Sequence, residues 1–271
     1  MNHLIDFLAV ALLGIGTGAI INWLADDLPF SNVIKRPHYP DGLPRPPRAW
    51  VGLIAFLTGG RVSPSGAKLS LRHPFTEVII AILFVYTVFQ NGFTPQSLYL
   101  MGCVAFLGLI TVMDLEHRMI LVLVIVAASI FALVGAAAAH PWERVTFQDH
   151  LLGGILGFVV FGILYLGGFI FSAVMANMRG EALEEVALGY GDVLLAMLSG
   201  FILGWQALIF AVTIAVFLGG AGALVFMAMR LVIRGRYEWF TALPYGQYIV
   251  LGTLIMMLWR APVIAFLQRG G

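Results

Sequence analysis

Two aspartates stand at positions where an apolar chain has a chemical reason to keep them. Asp114 closes an apolar run in Thr111-Val112-Met113-Asp114-Leu115-Glu116-His117-Arg118, and Asp192 opens another in Gly189-Tyr190-Gly191-Asp192. Ionisable groups are costly in hydrocarbon, so those at or inside the ends of apolar runs are functional candidates by default. Two carboxylates brought together in a partly dehydrated site cannot both ionise cheaply, and one keeps a proton while the other stays charged. Such a pair can deprotonate a water and protonate a leaving amine. Gly189 and Gly191 are expected to allow a tight turn and the close approach of a substrate chain beside Asp192. Glu77, one turn into a further apolar run, joins the list, with Asp6, Asp26 and Asp27 as weaker members.

Each has a plainer reading. An Asp at a helix N-terminus is ordinarily a cap for free amides, which suits Asp192. Asp114 sits at a helix C-terminus, where the dipole opposes a negative charge, so its plain reading is an interfacial residue paired with Arg118 four positions on. Glu77 could contact the aspartate pair, or could simply snorkel to water beside Arg72 and His73. His117 reads as an interfacial loop histidine rather than a base or a metal ligand.

The elements that position these residues follow from composition. Charged residues make up 11% of the 271 positions and hydrophobic ones 61%, against about 25% charged in a soluble domain. One core cannot hide that much apolar surface from water, so the solvent is lipid. A net charge of +1 argues against a basic nucleic-acid binder, and a single cysteine, Cys103, excludes a disulfide framework and a four-thiolate zinc site.

Eight apolar stretches are candidates to cross a bilayer, at 4–25, 75–90, 97–113, 119–139, 151–176, 193–204, 206–229 and 243–259. The second and sixth are short and are expected to begin inside the adjoining loops. The first lacks a basic start and a small-residue cleavage site, so it is expected to remain as a helix. The fold class is therefore an all-α integral membrane bundle of about eight helices.

Basic residues set its orientation, because loops rich in Lys and Arg stay in the cytoplasm. Placing 26–74 inside puts Lys35, Arg36, Arg45, Arg48, Arg61, Lys68, Arg72, Arg118, Arg179, Arg230, Arg234 and Arg236 on that side, and only Arg144, Arg260 and Arg269 elsewhere. Both termini are then outside, and Asp114 and Asp192 fall at one depth, the cytoplasmic surface. The organisation expected is a first span at 1–25, a cytoplasmic cap at 26–74 and a seven-helix core at 75–271. In the cap, Pro37, Pro40, Pro44, Pro46 and Pro47 interrupt helix, and Trp50 to Leu57 is apolar enough to lie on the membrane or pack against the bundle. No repeat of 20 to 50 residues is legible. Pairs four apart, Gly14 with Gly18, Gly153 with Gly157 and Gly200 with Gly204, suit close helix packing.

At these residues the sequence resembles the type IV prepilin peptidases, GxGD-type intramembrane aspartic peptidases of bacterial pilus and secretion systems. The stretch Gly18 to Pro29 is similar to the family's GSFLNVVIYRLP-type opening. His73-Pro74-Phe75-Thr76-Glu77 resembles its YPLVE entry to the second span. Asp114 matches the first catalytic aspartate, Gly189-Tyr190-Gly191-Asp192 the GxGD motif, and Leu243-Pro244-Tyr245-Gly246 the IPFGP-like start of the last span. There are departures. Leu121 stands where the family usually has Pro, and Leu194 where it often has Lys. Many members carry two CxxC pairs in the cap, whereas Val62 and Ser65 occupy the frame of the second pair here, so no zinc is expected.

The resemblance implies a multi-pass enzyme of the bacterial inner membrane that cuts the leader of type IV prepilin or pseudopilin precursors, with Asp114 and Asp192 catalytic and no cofactor for the cleavage. It also implies N-methylation of the product with S-adenosylmethionine, although 26–74 shows no GxGxxG-type nucleotide pattern. Prepilin leaders of this type tend to be basic, and Glu181, Glu184 and Glu185 could attract one, or could form a plain solvated acidic loop. Two rival functions stand beside this one. A proton- or ion-coupled transporter also uses membrane carboxylates, but usually near the midplane. An inactive scaffold of a pilus or secretion assembly is consistent with Leu121 and Leu194. A preflagellin or presenilin-like peptidase is a nearer variant, disfavoured by the long loop before the second span.

Overall fold

The structure, a computed structural model, describes residues 2–30, 34–139, 141–142, 145–179, 188–234 and 245–269. Among them regular structure is helical. Six helices are long and apolar enough to cross a membrane by length and composition. Two compact units divide the chain, Met1–Met119 and Ile120–Gly271.

In the first unit, α1 (Asn2–Asp27) packs along α3 (Arg72–Asn91), and α4 (Pro95–His117) packs against both. The α1–α3 contact is close because Gly14 and Gly18 have no side chain. A Cβ at Gly14 would meet the Ala81 backbone, and one at Gly18 the Glu77 backbone. Residues turned away from this contact, such as Leu8, Leu12 and Ile82, are exposed and apolar, as a lipid-facing surface requires. Thr94 caps α4 by accepting from Ser97 N at 3.2 Å. The helix stops at Arg118, whose left-handed φ of 52° is the one positive φ on a non-glycine residue among those described.

Between α1 and α3 lies a small folded cap, with a 3-10 turn at Pro47–Ala49 and the short helix α2 (Gly52–Leu57). Tyr39, Ala49, Ala55 and Leu69 form its core, with Phe56 packed on it. The apolar segment expected to lie on the membrane or pack against the bundle packs in part against α3. Gly52 and Ala55 are buried, while Trp50, Ile54 and Leu57 are exposed.

The cap also contains a short repeat that the sequence reading did not detect. Tyr39-Pro40-Asp41-Gly42 and Ser63-Pro64-Ser65-Gly66 make the same turn, 24 residues apart at Asp41 and Ser65. Gly42 N donates to Tyr39 O at 2.8 Å and Gly66 N to Ser63 O at 2.9 Å, while Tyr39 N and Ser63 N donate to Leu43 O and Ala67 O, each at 2.8 Å. Gly42 and Gly66 sit at φ 83° and 94°, where a side chain would be strained. Proline at the second turn position and glycine at the fourth encode this geometry. The two turns are tied side chain to side chain: Ser63 Oγ donates to Asp41 Oδ2 at 2.5 Å, and Ser65 Oγ donates to the same oxygen.

The second unit is built around α7 (Tyr190–Leu203), which packs against α5 (Val122–Ala139), α6 (Phe147–Arg179), α8 (Trp205–Arg234) and α9 (Tyr245–Leu258). Its residues Leu195, Ala196, Leu198 and Ile202 are all buried, as expected of a helix that is apolar on every side. The α6–α7 crossing relies on glycine. A Cβ at Gly157 would meet Ala196 O, and one at Gly200 would meet Gly153 O. Gly204 joins this close approach, since a Cβ at Gly153 would lie 2.7 Å from Gly204 C, and it also ends α7 at φ 80°. At that end Arg260 Nη1 donates to Leu203 O at 3.2 Å, so α10 (Arg260–Arg269), a helix not foreseen from the sequence, helps cap α7.

The eight apolar stretches correspond in order to α1 and α3 to α9. The two short stretches do begin earlier than their apolar runs, α3 at Arg72 and α7 at Tyr190. Even so, α7 and α9 have 14 residues each, a length of about 21 Å at the usual rise per residue, which is less than a bilayer core of about 30 Å.

Candidate active site and its supporting network

Asp114 lies in the last turn of α4, half-buried, and its carbonyl accepts from Arg118 N at 2.9 Å. The left-handed Arg118 thus closes the helix directly over the aspartate. Nearby in that turn, His117 packs edge-on against Phe30, with ring centroids 5.0 Å apart.

Glu116 and the inner end of α1 are joined by charge. Arg72 reaches Glu116 Oε2 with Nη1 and Asp26 Oδ1 with Nη2. Asp26 also receives Arg45 Nη2 at 2.9 Å and has His73 Nε2 at 3.5 Å. Arg45, from the cap, is buried with 4% of its side chain exposed, which lowers its pKa through desolvation. Asp27 accepts from Lys35 N at 2.8 Å. Asp26 therefore stands at the centre of an alternating ion network spanning α1, the cap, α3 and α4.

Glu77 does not snorkel to water but is fully buried. Its two oxygens accept from the first amides of α2, Gly52 N at 2.6 Å and Leu53 N at 2.8 Å. Because free amides at a helix start attract negative charge, Glu77 anchors the cap to α3. Gly52 must be glycine here, since a Cβ would lie 2.6 Å from His73 Cβ and 3.0 Å from Glu77 Oε1.

In the second unit, Asp192 is in the first turn of α7 and half-buried. Its Oδ2 accepts from Gly189 N at 3.0 Å, while its own amide donates to Gly189 O at 3.0 Å. Asp192 is thus a cap in fact, and capping fixes its carboxylate at the helix mouth. The surroundings are aromatic. Tyr165 and Tyr190 meet edge to face with centroids 6.1 Å apart, and Tyr245 packs against Phe161 and Tyr248, each at 6.5 Å. Tyr245 lies within electrostatic reach of Asp192.

The expected tight glycine turn needs correcting. Gly189 has φ −80° and ψ 153°, ordinary extended backbone open to any residue, and Gly191 is already helical. Space explains Gly191 instead, because a Cβ there would sit 3.0 Å from the Ile120 side chain. At Gly189 a Cβ would make only ordinary contacts, and nothing in the structure explains the glycine.

Glu181, Glu184, Glu185, Leu243 and Pro244 lie outside the described residues. Leu194 is buried within α7, where a lysine would need a charged partner.

The donor set of the cap does not fit zinc. The turn pair offers two hydroxyls and one carboxylate, Val62 has no donor atom, and no group of three His, Cys, Asp or Glu side chains gathers among the described residues. Nor do the described residues form the strand-turn-helix unit that cradles a dinucleotide.

Comparison with known proteins identifies the region that holds both aspartates. The model of the type IV leader peptidase family matches residues 101–224. Residues 101–224 are thus similar to the type IV leader peptidase family. Similarity to proteins of this family extends over more of the chain. A prepilin leader peptidase/N-methyltransferase of Myxococcus xanthus is 27% identical over 230 residues, which cover 81% of this chain and 62% of that protein. The enzyme of that name from Pseudomonas aeruginosa is 23% identical over 228 residues, 83% of this chain and 72% of the relative. The one from Bacillus subtilis is 28% identical over 224 residues, 81% and 79%. The chain thus spans under two thirds of the Myxococcus relative's length. No solved structure matches. The family match begins within α4 and so leaves out Asp26, Arg45, Arg72 and Glu77. Their tertiary partners, not their residue types, mark them as part of the site's support.

Proposed function

We propose that this chain is an intramembrane aspartic endopeptidase that removes the leader of type IV prepilin-like substrates. The observation that carries the proposal is that the family match encloses two aspartates, each half-buried at a helix terminus. With α1 and α3 to α9 crossing or entering the membrane in alternation, the end of α4 and the start of α7 share one side. The positive residues assign that side to the cytoplasm of a bacterial inner membrane, with both termini outside and 26–74 as a cytoplasmic cap.

Asp114 and Asp192 act as a dyad sharing one proton. The ionised carboxylate takes a proton from water as the hydroxide adds to the scissile carbon, and the protonated one donates to the carbonyl oxygen; when the C–N bond breaks, the first passes its newly gained proton to the leaving nitrogen and the second takes back the proton from the tetrahedral hydroxyl. No acyl intermediate forms. The Gly189 amide donates to the Asp192 carboxylate at 3.0 Å, which holds it at the start of α7. Glu181, Glu184 and Glu185 attract a basic leader. The cleavage uses no metal or other cofactor. N-methyl transfer, part of the relatives' name, would need a donor such as S-adenosylmethionine, and no methyl-transfer step is assigned to these residues.

The test is incubation of the purified protein in lipid with a prepilin, followed by mass spectrometry of the product. Wild type should release the leader, whereas Asp114→Asn and Asp192→Asn should insert, fold and release none. Intact prepilin with wild type would favour a scaffold or a transporter, and robust processing by either variant would reject the dyad.

A further inference from the structure

We propose that Arg72 is a positioning residue for Asp114, holding the last turn of α4 in the shape that presents the aspartate. This rests on the function proposed above. That turn is intrinsically poorly held. A helix C-terminus leaves its last carbonyls without intrahelical partners, and Asp114 and Glu116 add negative charge where the dipole is already negative. The turn nevertheless ends sharply, on a non-glycine left-handed residue, Arg118. Something outside α4 must therefore offset the cost of that shape.

Arg72 is placed to do so. One arm of its guanidinium holds Glu116, two residues beyond Asp114, and the other holds Asp26 at the end of α1. A planar fork with fixed donor directions can join two carboxylates rigidly, which a single ammonium cannot. Arg72 and Asp26 are sheltered, at 12% and 21% exposed, so solvent screens their pair less than a surface pair, while Glu116 lies at the surface with 32% of its side chain exposed. Asp26 is held in turn by Arg45 of the cap. The chain Arg45, Asp26, Arg72, Glu116 thus connects the folded cap to the turn that carries Asp114.

The network is read out in the full-length protein in lipid nanodiscs, using Arg72→Ala, Arg72→Lys, Glu116→Gln and the double variant Arg72→Ala/Glu116→Gln. Misplacing a reacting group by about 1 Å can cost about 100-fold in rate. Arg72→Ala and Glu116→Gln should each lower kcat on a prepilin at least about tenfold, with KM within about threefold. The double variant should be no slower than the worse single variant, because both substitutions break one link. Arg72→Lys should fall between wild type and Arg72→Ala. Hydrogen exchange supplies a readout that does not need activity: the amides of 115–118 should exchange faster in Arg72→Ala while those of α5 to α9 stay unchanged. Effects that multiply in the double variant, a change confined to KM, or unaltered exchange at 115–118 would overturn the proposal. If Arg72→Ala fails to fold, Glu116→Gln decides by the same two measurements. If wild type itself cleaves no prepilin, the peptidase reading fails while the exchange experiment still judges the positioning role.

Discussion

Substituting Glu77 tests whether one buried carboxylate attaches the cap to the helices. Two backbone amides, Gly52 N and Leu53 N, donate to its two oxygens at 2.6 and 2.8 Å. Hydrogen bonds to a charged group contribute about 1.5 to 3 kcal/mol each. Glu77→Ala removes both and leaves the two amides to find water, so local opening of α2 should become easier by about 3 to 6 kcal/mol. Glu77→Gln keeps one acceptor but turns an NH2 group toward the second amide, donor against donor, and should cost about half as much. Since about 1.4 kcal/mol is a factor of ten, protection of the 52–57 amides should fall at least about 100-fold in Glu77→Ala and about tenfold in Glu77→Gln. Hydrogen exchange with mass spectrometry in nanodiscs measures this directly, with the α6 and α7 amides as the internal reference. If Glu77→Ala leaves the α2 amides as protected as in wild type, the carboxylate is not the anchor and the argument from free helix amides is wrong here.

Three further outcomes follow from the same geometry. The hydroxyls of Ser63 and then Ser65 hold Asp41 below the usual carboxylate range. A depressed folded pKa means that the tie between the two turns is fully present above the unfolded value of about 3.9 and is lost as pH falls through the lower folded value. A carboxyl NMR titration should show this, with the midpoint moving up in Ser63→Ala/Ser65→Ala. Gly200→Leu should destabilise the second unit by about 1 to 3 kcal/mol or more, because the new side chain is aimed at the Gly153 backbone; a thermal melt in detergent checks it. Treatment with a zinc chelator should leave both the melt and the cleavage unchanged, and a loss of either would reveal a metal site that the cap's donor set does not suggest.

The helices were legible because lipid solvent writes itself into the sequence as long apolar runs, and even the early starts of α3 and α7 could be anticipated from runs too short to stand alone. α10 was not legible, because Arg260 and Pro262 interrupt the apolar pattern at its start. Asp114 and Asp192 were visible as charges at span ends, and their types suffice to suggest the chemistry. The supporting network was not visible. Asp26 stands out only as a weaker candidate, Arg45, Arg72 and Glu116 look like ordinary interfacial charges, and only folding brings residues up to 90 positions apart in sequence into one chain. Glu77 was found for its burial cost but misassigned, since its partners are backbone amides that carry no side-chain signal. The repeated turn did have a signal, Pro-Asp-Gly-Leu against Pro-Ser-Gly-Ala, too short to stand out before the hydrogen bonds align it.

The central claim is that Asp114 and Asp192 work on one amide, and a crosslink tests it most directly. Cys103 is the sole cysteine and is buried in α4, so Asp114→Cys/Asp192→Cys on a Cys103→Ser background presents only the two thiols of interest. In native membranes a short homobifunctional maleimide should join them within one chain, and added prepilin should slow the reaction by occupying the site. Efficient labelling of both thiols with no crosslink, with or without prepilin, would contradict the dyad.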